Sequence, residues 1–235
     1  MMLSIEGLDV SIQASQILRG VSLEVAEGEV VCLVGRNGAG KTTTLRGIMG
    51  YLRPEAGRIT FVGRDILGWP THQIAQLGIG YAPEDSGIFP DLTVAENIEI
   101  STWTRPDGRP ARERIERAYA AFPALRRYAK RKGTEISGGE RKMLSIARAL
   151  ALEPRMLLLD EPFEGLSPAI IPAVSQGIAE VTKSGHAILI AESNIHHIPE
   201  FTNRLYVIER GEIIFDGHPS DVEHDRTVQN IIGAA

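Results

Sequence analysis

The stretch Leu3-Ser4-Ile5-Glu6-Gly7-Leu8-Asp9-Val10 alternates apolar and polar positions, the two-residue period of a half-buried strand. Val21-Ser22-Leu23-Glu24-Val25 repeats it. Residues 29–34 are nearly all apolar, which predicts a strand covered on both faces. A glycine-rich turn follows, then a helix from Lys41 to about Met49 with Gly50 as its stop. Short strands are predicted over 58–61 and 79–82. From about Thr93 to Lys132 the pattern turns helical and more charged, with a turn at Arg105-Pro106-Asp107-Gly108-Arg109-Pro110. Further on, the pattern predicts a helix over 141–152, a buried strand over 156–159, a helix over 168–182 and a strand over 187–191. Segments 205–209 and 212–215 read as a hairpin joined at Arg210-Gly211. Strands alternating with helices imply an α/β protein with a largely parallel sheet, and the helical middle reads as an inserted subdomain.

Composition narrows the function classes. A net charge of −5 argues against a nucleic-acid binder, which usually carries a basic face. The single cysteine, Cys32, excludes an internal disulfide and sits in an apolar run, as a core residue does. The first residues lack the basic-then-apolar order of a secretory leader. No apolar run approaches the ~20 residues of a membrane-spanning helix, so membrane contact is expected through a partner.

Gly35-Arg36-Asn37-Gly38-Ala39-Gly40-Lys41-Thr42 fits the P-loop pattern G-x-x-x-x-G-K-[ST]. Glycines let consecutive main-chain N–H groups point into one concavity, and the following helix offers its unpaired N–H groups and positive dipole end to an anion. Lys41 is expected at the β- and γ-phosphates of ATP, with Thr42 on Mg²⁺. Met156-Leu157-Leu158-Leu159-Asp160-Glu161 brings two carboxylates out at a strand's end, where ligands of open α/β sheets bind. Asp160 is expected to hold Mg²⁺ and Glu161 to position and polarise water; helix-capping acids are the plainer alternative. Ser137-Gly138-Gly139-Glu140 reads as a capping box. A box needs no glycines, however, and close approach of a phosphate to bare N–H groups would require them.

Taken in order, these segments resemble the ATP-binding subunit of ABC transporters over essentially the whole chain. Tyr81-Ala82-Pro83-Glu84, the run from Ile88 to Asn97, and Glu161-Pro162-Phe163-Glu164-Gly165-Leu166-Ser167-Pro168 are similar to the subunits serving branched-chain amino acid and related amide or urea importers. The resemblance implies a single ABC domain over 1–235, with a core of about 1–92 and 153–235 and a helical subdomain of about 93–152. It implies a mostly parallel sheet with an antiparallel N-terminal sheet. It places ATP on residues 35–42 with Thr43 and Ser193, and Mg²⁺ on Thr42, Glu84 and Asp160. Glu161 becomes the catalytic residue. Ser137, Gly138, Gly139 and Glu140 would contact the nucleotide of a partner cassette. Partners implied are a second, non-identical cassette, two permease subunits that the helical region faces, and an extracytoplasmic solute-binding protein. The chain would lie at the cytoplasmic face of the membrane.

Three positions depart from the family pattern. Ile12 stands where an aromatic residue usually stacks on adenine. Ser193 stands where a histidine usually meets the γ-phosphate, with His196 and His197 close by in sequence. Ser167 replaces an aspartate after the carboxylate pair. Two rivals to a transport ATPase remain: a dimerisation module that cleaves little ATP at its own site, which the altered Ser193 keeps open, and an ABC ATPase outside transport.

Overall fold

The computed structural model describes residues 1–104, 108–224 and 228–229. In chain order it contains β1 (Leu3–Ile12), β2 (Ser15–Val25), β3 (Val30–Val34), α1 (Lys41–Ile48), β4 (Ala56–Phe61), β5 (Arg64–Asp65), α2 (Thr71–Leu77) and β6 (Ile79–Ala82). Then come α3 (Val94–Ser101), α4 (Ala111–Ala121), α5 (Gly138–Ala151), β7 (Met156–Asp160), α6 (Ile171–Lys183), β8 (Ala187–Glu192), β9 (Arg204–Glu209) and β10 (Glu212–Gly217). The chain divides into two compact units, Met1–Ile74 with the segment from Ala187 onward, and Ala75–His186.

In the first unit, β1 pairs antiparallel with both β2 and β4, and β5 extends β4, giving the expected antiparallel N-terminal sheet. Strand β3 runs parallel to β8 and to β9, and β10 closes a hairpin on β9. All five residues of β3 are buried, because both of its faces are covered. Cys32 is fully buried, with Sγ 3.3 Å from Thr202 Oγ1. Burial pushes its thiol up to about 12, against a smaller opposing effect of the Thr202 hydrogen bond. The native protein should therefore resist maleimide labelling at pH 8, reacting only as it unfolds; rapid labelling of folded protein would contradict this placement.

In the second unit, β6 and β7 pair in parallel, from Ile79 beside Met156 to Ala82 beside Leu159. Helices α3 and α4 both pack on α5. This unit contains the helical stretch expected over 93–152, together with β6, β7 and α6. The turn expected at 105–110 falls partly on residues 105–107, outside the described residues. Helix α6 starts later than the pattern predicts. Ser167–Ile170 forms a turn closed by Ile170 N donating to Ser167 O at 2.9 Å, which takes up Pro168. Pro172 then occupies the first helical turn, where a missing N–H costs nothing. Gly177 is required by packing, since a Cβ there would lie 2.1 Å from the Phe122 ring.

Asn97, fully buried on α3, organises the loop before that helix. Its Oδ1 accepts from Phe89 N at 2.8 Å, and its Nδ2 faces the carbonyls of Phe89, Leu92 and Thr93 at 2.9, 3.1 and 3.0 Å. Asn97→Ala would strand several of these groups without partners. It is expected to cost about 2–3 kcal/mol in urea unfolding, and a loss within error of zero would refute the role.

Candidate functional site

The first unit holds the phosphate-loop half. Strand β3 ends at Val34, and Gly35 N donates to the Glu192 carbonyl at 3.2 Å, which ties the loop to the end of β8. A Cβ on Gly35 would sit 2.3 Å from the Ile208 carbonyl oxygen, so only glycine fits. Gly40 has φ 117 and a Cβ there would meet Leu18 Cδ2 at 2.7 Å. Gly38 is also left-handed, at φ 82, and its Cβ would point into open space. Gly40 is the N-cap of α1 and supplies no side-chain cap, which leaves the first-turn N–H groups to the loop's concave side. Arg36 and Asn37 are exposed and Ala39 is buried. Lys41 is only 5% exposed, and its Nζ donates to Gly35 O at 2.7 Å and Arg36 O at 3.3 Å. The ammonium thus lies across the loop it would serve. Thr42 and Thr43 are half-buried at the start of α1. Thr44 Oγ1 turns inward and donates to Gly40 O at 2.9 Å.

Ser193 follows β8 immediately and is half-buried. Its neighbours explain the histidines. Asn194 caps a short 3-10 turn, Ile195–His197, and His197 lies with Nδ1 3.5 Å from Oε2 of the buried Glu192. His197 is thereby committed to packing on Glu192, while His196 faces solvent. Ile12 ends β1 and is 42% exposed, an apolar surface.

The second unit holds the carboxylate half. Asp160 and Glu161 emerge at the end of β7, 1% and 4% exposed. Tyr81 donates its hydroxyl to Asp160 Oδ2 at 2.9 Å and fixes that carboxylate. Glu161 has φ 48, a left-handed backbone that non-glycine residues seldom adopt. Lys142 Nζ donates to the main-chain carbonyls of Glu84 and Glu161 at 2.6 and 2.7 Å, so one ammonium brings both segments together. The Glu84 side chain is exposed. Partial burial, followed by the negative charges of Glu161 and Glu84, pushes the Glu164 carboxyl above its usual range. Ser167 sits in the turn before α6.

Helix α5 opens with Ser137 as N-cap. Glu140 N donates to Ser137 Oγ at 3.3 Å and Ser137 N donates to Glu140 Oε2 at 2.7 Å, so the capping box is real. The two glycines separate. Gly139 is explained within the chain, because a Cβ there would lie 2.7 Å from Ile170 Cγ2. A Cβ on Gly138 would meet nothing within 4 Å, so packing within this chain gives no reason for that glycine. Sequence reasoning gave no role of their own to Lys142 or Tyr81. The partners of Lys142 lie 58 and 19 residues away and that of Tyr81 lies 79 away, so no local spacing signals them.

A glycine loop between a buried strand and an uncapped helix, with a lysine at the helix start, defines a P-loop nucleotide-binding α/β protein. Residues 18–164 match the family model for ABC transporters, and the chain belongs to that family. It is 37% identical over 232 residues to the lipopolysaccharide export system ATP-binding protein LptB of Acidithiobacillus ferridurans, covering 98% of this chain and 95% of that one. It is 36% identical over 214 residues to the high-affinity branched-chain amino acid transport ATP-binding protein BraG of Pseudomonas aeruginosa, covering 91% of each. Among solved structures it is similar to an ATP-binding cassette in its ADP conformation, with a TM-score of 0.86 and 28% identity over 100% of this chain and 99% of that one. The chain is an ABC-type ATPase subunit of a transporter. Among the described residues, no helix is long and apolar enough to cross a membrane.

Proposed function

We propose that this chain powers the import of branched-chain amino acids or related small amide solutes. It would do so at the cytoplasmic face of the membrane, with a second, non-identical cassette and two permease subunits supplied by an extracytoplasmic solute-binding protein. The observation that carries the solute class is the Tyr81-Ala82-Pro83-Glu84 segment, supported by the similarity to BraG. The helical stretch 93–132 would face the permease. Phe89, 43% exposed with the Arg148 guanidinium 4.8 Å from its ring centroid, offers an apolar contact there.

The triphosphate of ATP lies against the first-turn amides of α1, with Gly35, Arg36, Asn37, Gly38, Ala39 and Gly40 shaping the cradle. Lys41 exchanges its two carbonyl partners for phosphate oxygens, while Thr43 and Ser193 donate hydroxyl hydrogens. The Thr42 hydroxyl and the Glu84 and Asp160 carboxylates are hard oxygen donors, which fits Mg²⁺. Bound there, Mg²⁺ would neutralise phosphate charge as the terminal phosphoryl group leaves. Glu161 orients the attacking water and accepts its proton. Ser137, Gly138, Gly139 and Glu140 would meet the partner cassette's nucleotide, and the open space over Gly138 suits such an approach. Ser193 brings no positive charge to the γ-phosphate, so hydrolysis is expected to be slower than with the usual histidine.

The similarity to LptB favours a second reading, in which the same ATPase drives lipid export. Deleting the coding sequence separates the two. Loss of labelled leucine or short-amide uptake, with normal lipopolysaccharide at the cell surface, supports import. Intact uptake with defective lipopolysaccharide would overturn it.

A further inference from the structure

Helix α5 joins two features that the proposed function treats separately. Its N-terminus is the partner-facing segment Ser137–Glu140. Between one and two turns further on, Lys142 is buried, with its ammonium at the main chain that follows β7. There it donates to Glu84 O at 2.6 Å and Glu161 O at 2.7 Å, carbonyls 58 and 19 residues away in sequence. They belong to the residue assigned to Mg²⁺ and the residue assigned to the water.

We propose that Lys142 is a positioning residue that transmits engagement of the α5 N-terminus to the catalytic carboxylate of its own chain. This rests on the reading that residues 137–140 face the partner's nucleotide. The physical argument has three parts. A charged donor to two carbonyls, one of the contacts fully buried, is a strong and directional tether. Glu161 holds φ 48, which persists only where its surroundings over-determine it, and the Lys142 hydrogen bond to its own carbonyl supplies such a restraint. Helix α5 is packed by both α3 and α4, so a force on its first turn moves the helix as a body and carries Lys142 with it. A shift at the N-terminus therefore re-aims the Glu161 side chain. One cassette's catalytic base is set by whether its partner holds ATP, and the two sites become coupled.

Hydrogen exchange tests this in the complex of the full-length chain, carrying Glu161→Gln, which keeps the Glu161 carbonyl, with its partner cassette, with and without MgATP. With Lys142 present, ATP should slow exchange in segments 36–43, 137–141, 83–86 and 161–164. With Lys142→Met added, the first two segments should respond as before and the last two should lose their response. Lys142→Arg, which keeps the donors, should recover part of it. In the chain with Glu161 intact, Lys142→Met should lower kcat about tenfold while ATP affinity changes less than about twofold. An undiminished response at 161–164 in Lys142→Met, or an unchanged kcat, overturns the link alone. Slowing at 36–43 without any at 137–141 when Lys142 is present would overturn the partner-facing reading, and the link with it.

Discussion

Lys41→Ala is expected to weaken ATP binding by about a hundredfold or more, with the fold unchanged. Lys41 is 5% exposed, and its ammonium is already aligned on the loop through Gly35 O and Arg36 O. With ATP bound, those contacts would give way to charge-assisted hydrogen bonds to phosphate oxygens, worth about 1.5–3 kcal/mol each. Two of them correspond to roughly a hundredfold or more in the dissociation constant. The alanine protein retains the loop glycines and the amides of α1, so residual binding follows from the helix N-terminus alone. Titration calorimetry on both proteins checks this, and equal affinity would remove Lys41 from the site.

Glu161→Gln should separate binding from chemistry. The amide is nearly isosteric, and the Glu161 carbonyl that receives Lys142 is unchanged, so ATP affinity should stay within about twofold. What would disappear is the carboxylate proposed to accept a proton from water, a contribution of about 10²–10⁴ in rate. Single-turnover hydrolysis is therefore expected to fall about a thousandfold. This also decides between the transport ATPase and the weakly hydrolysing dimerisation module. In the module, the substitution would change phosphate release little, because Ser193 and Ser167 would already have slowed the step.

Much of this was legible from local pattern. Strands β3 and β7 are apolar runs, and each ends at residues whose chemistry demands a particular place: the glycine loop that leads into α1, and the carboxylates of Asp160 and Glu161. The capping box at Ser137 and Glu140 was legible too, because both of its hydrogen bonds span three residues. Elements that depend on tertiary contact were not. Helix α2 buries only Ile74, so it has no apolar face to read. Strand β5 is two residues long and exists as the continuation of β4. The start of α6 depended on a turn that Ser167 closes. Glycines are ambiguous for the same reason: the sequence places two at the start of α5, and only the position of Ile170 shows that one of them is a packing requirement. Lys142 is the plainest case. On a helical wheel it is one more cation, and its function appears only when the carbonyls of Glu84 and Glu161 are brought to it.

The central claim is that main-chain amides and Lys41 hold the triphosphate tail of a nucleotide, with the base contributing through no more than an apolar surface at Ile12. Calorimetric titration of the purified chain with MgATP, ADP and AMP addresses it directly. The account predicts saturable heat for ATP and ADP and none for AMP, since AMP carries no phosphate that reaches Lys41. Comparable binding of AMP and ATP, or no heat from any of the three, would contradict it.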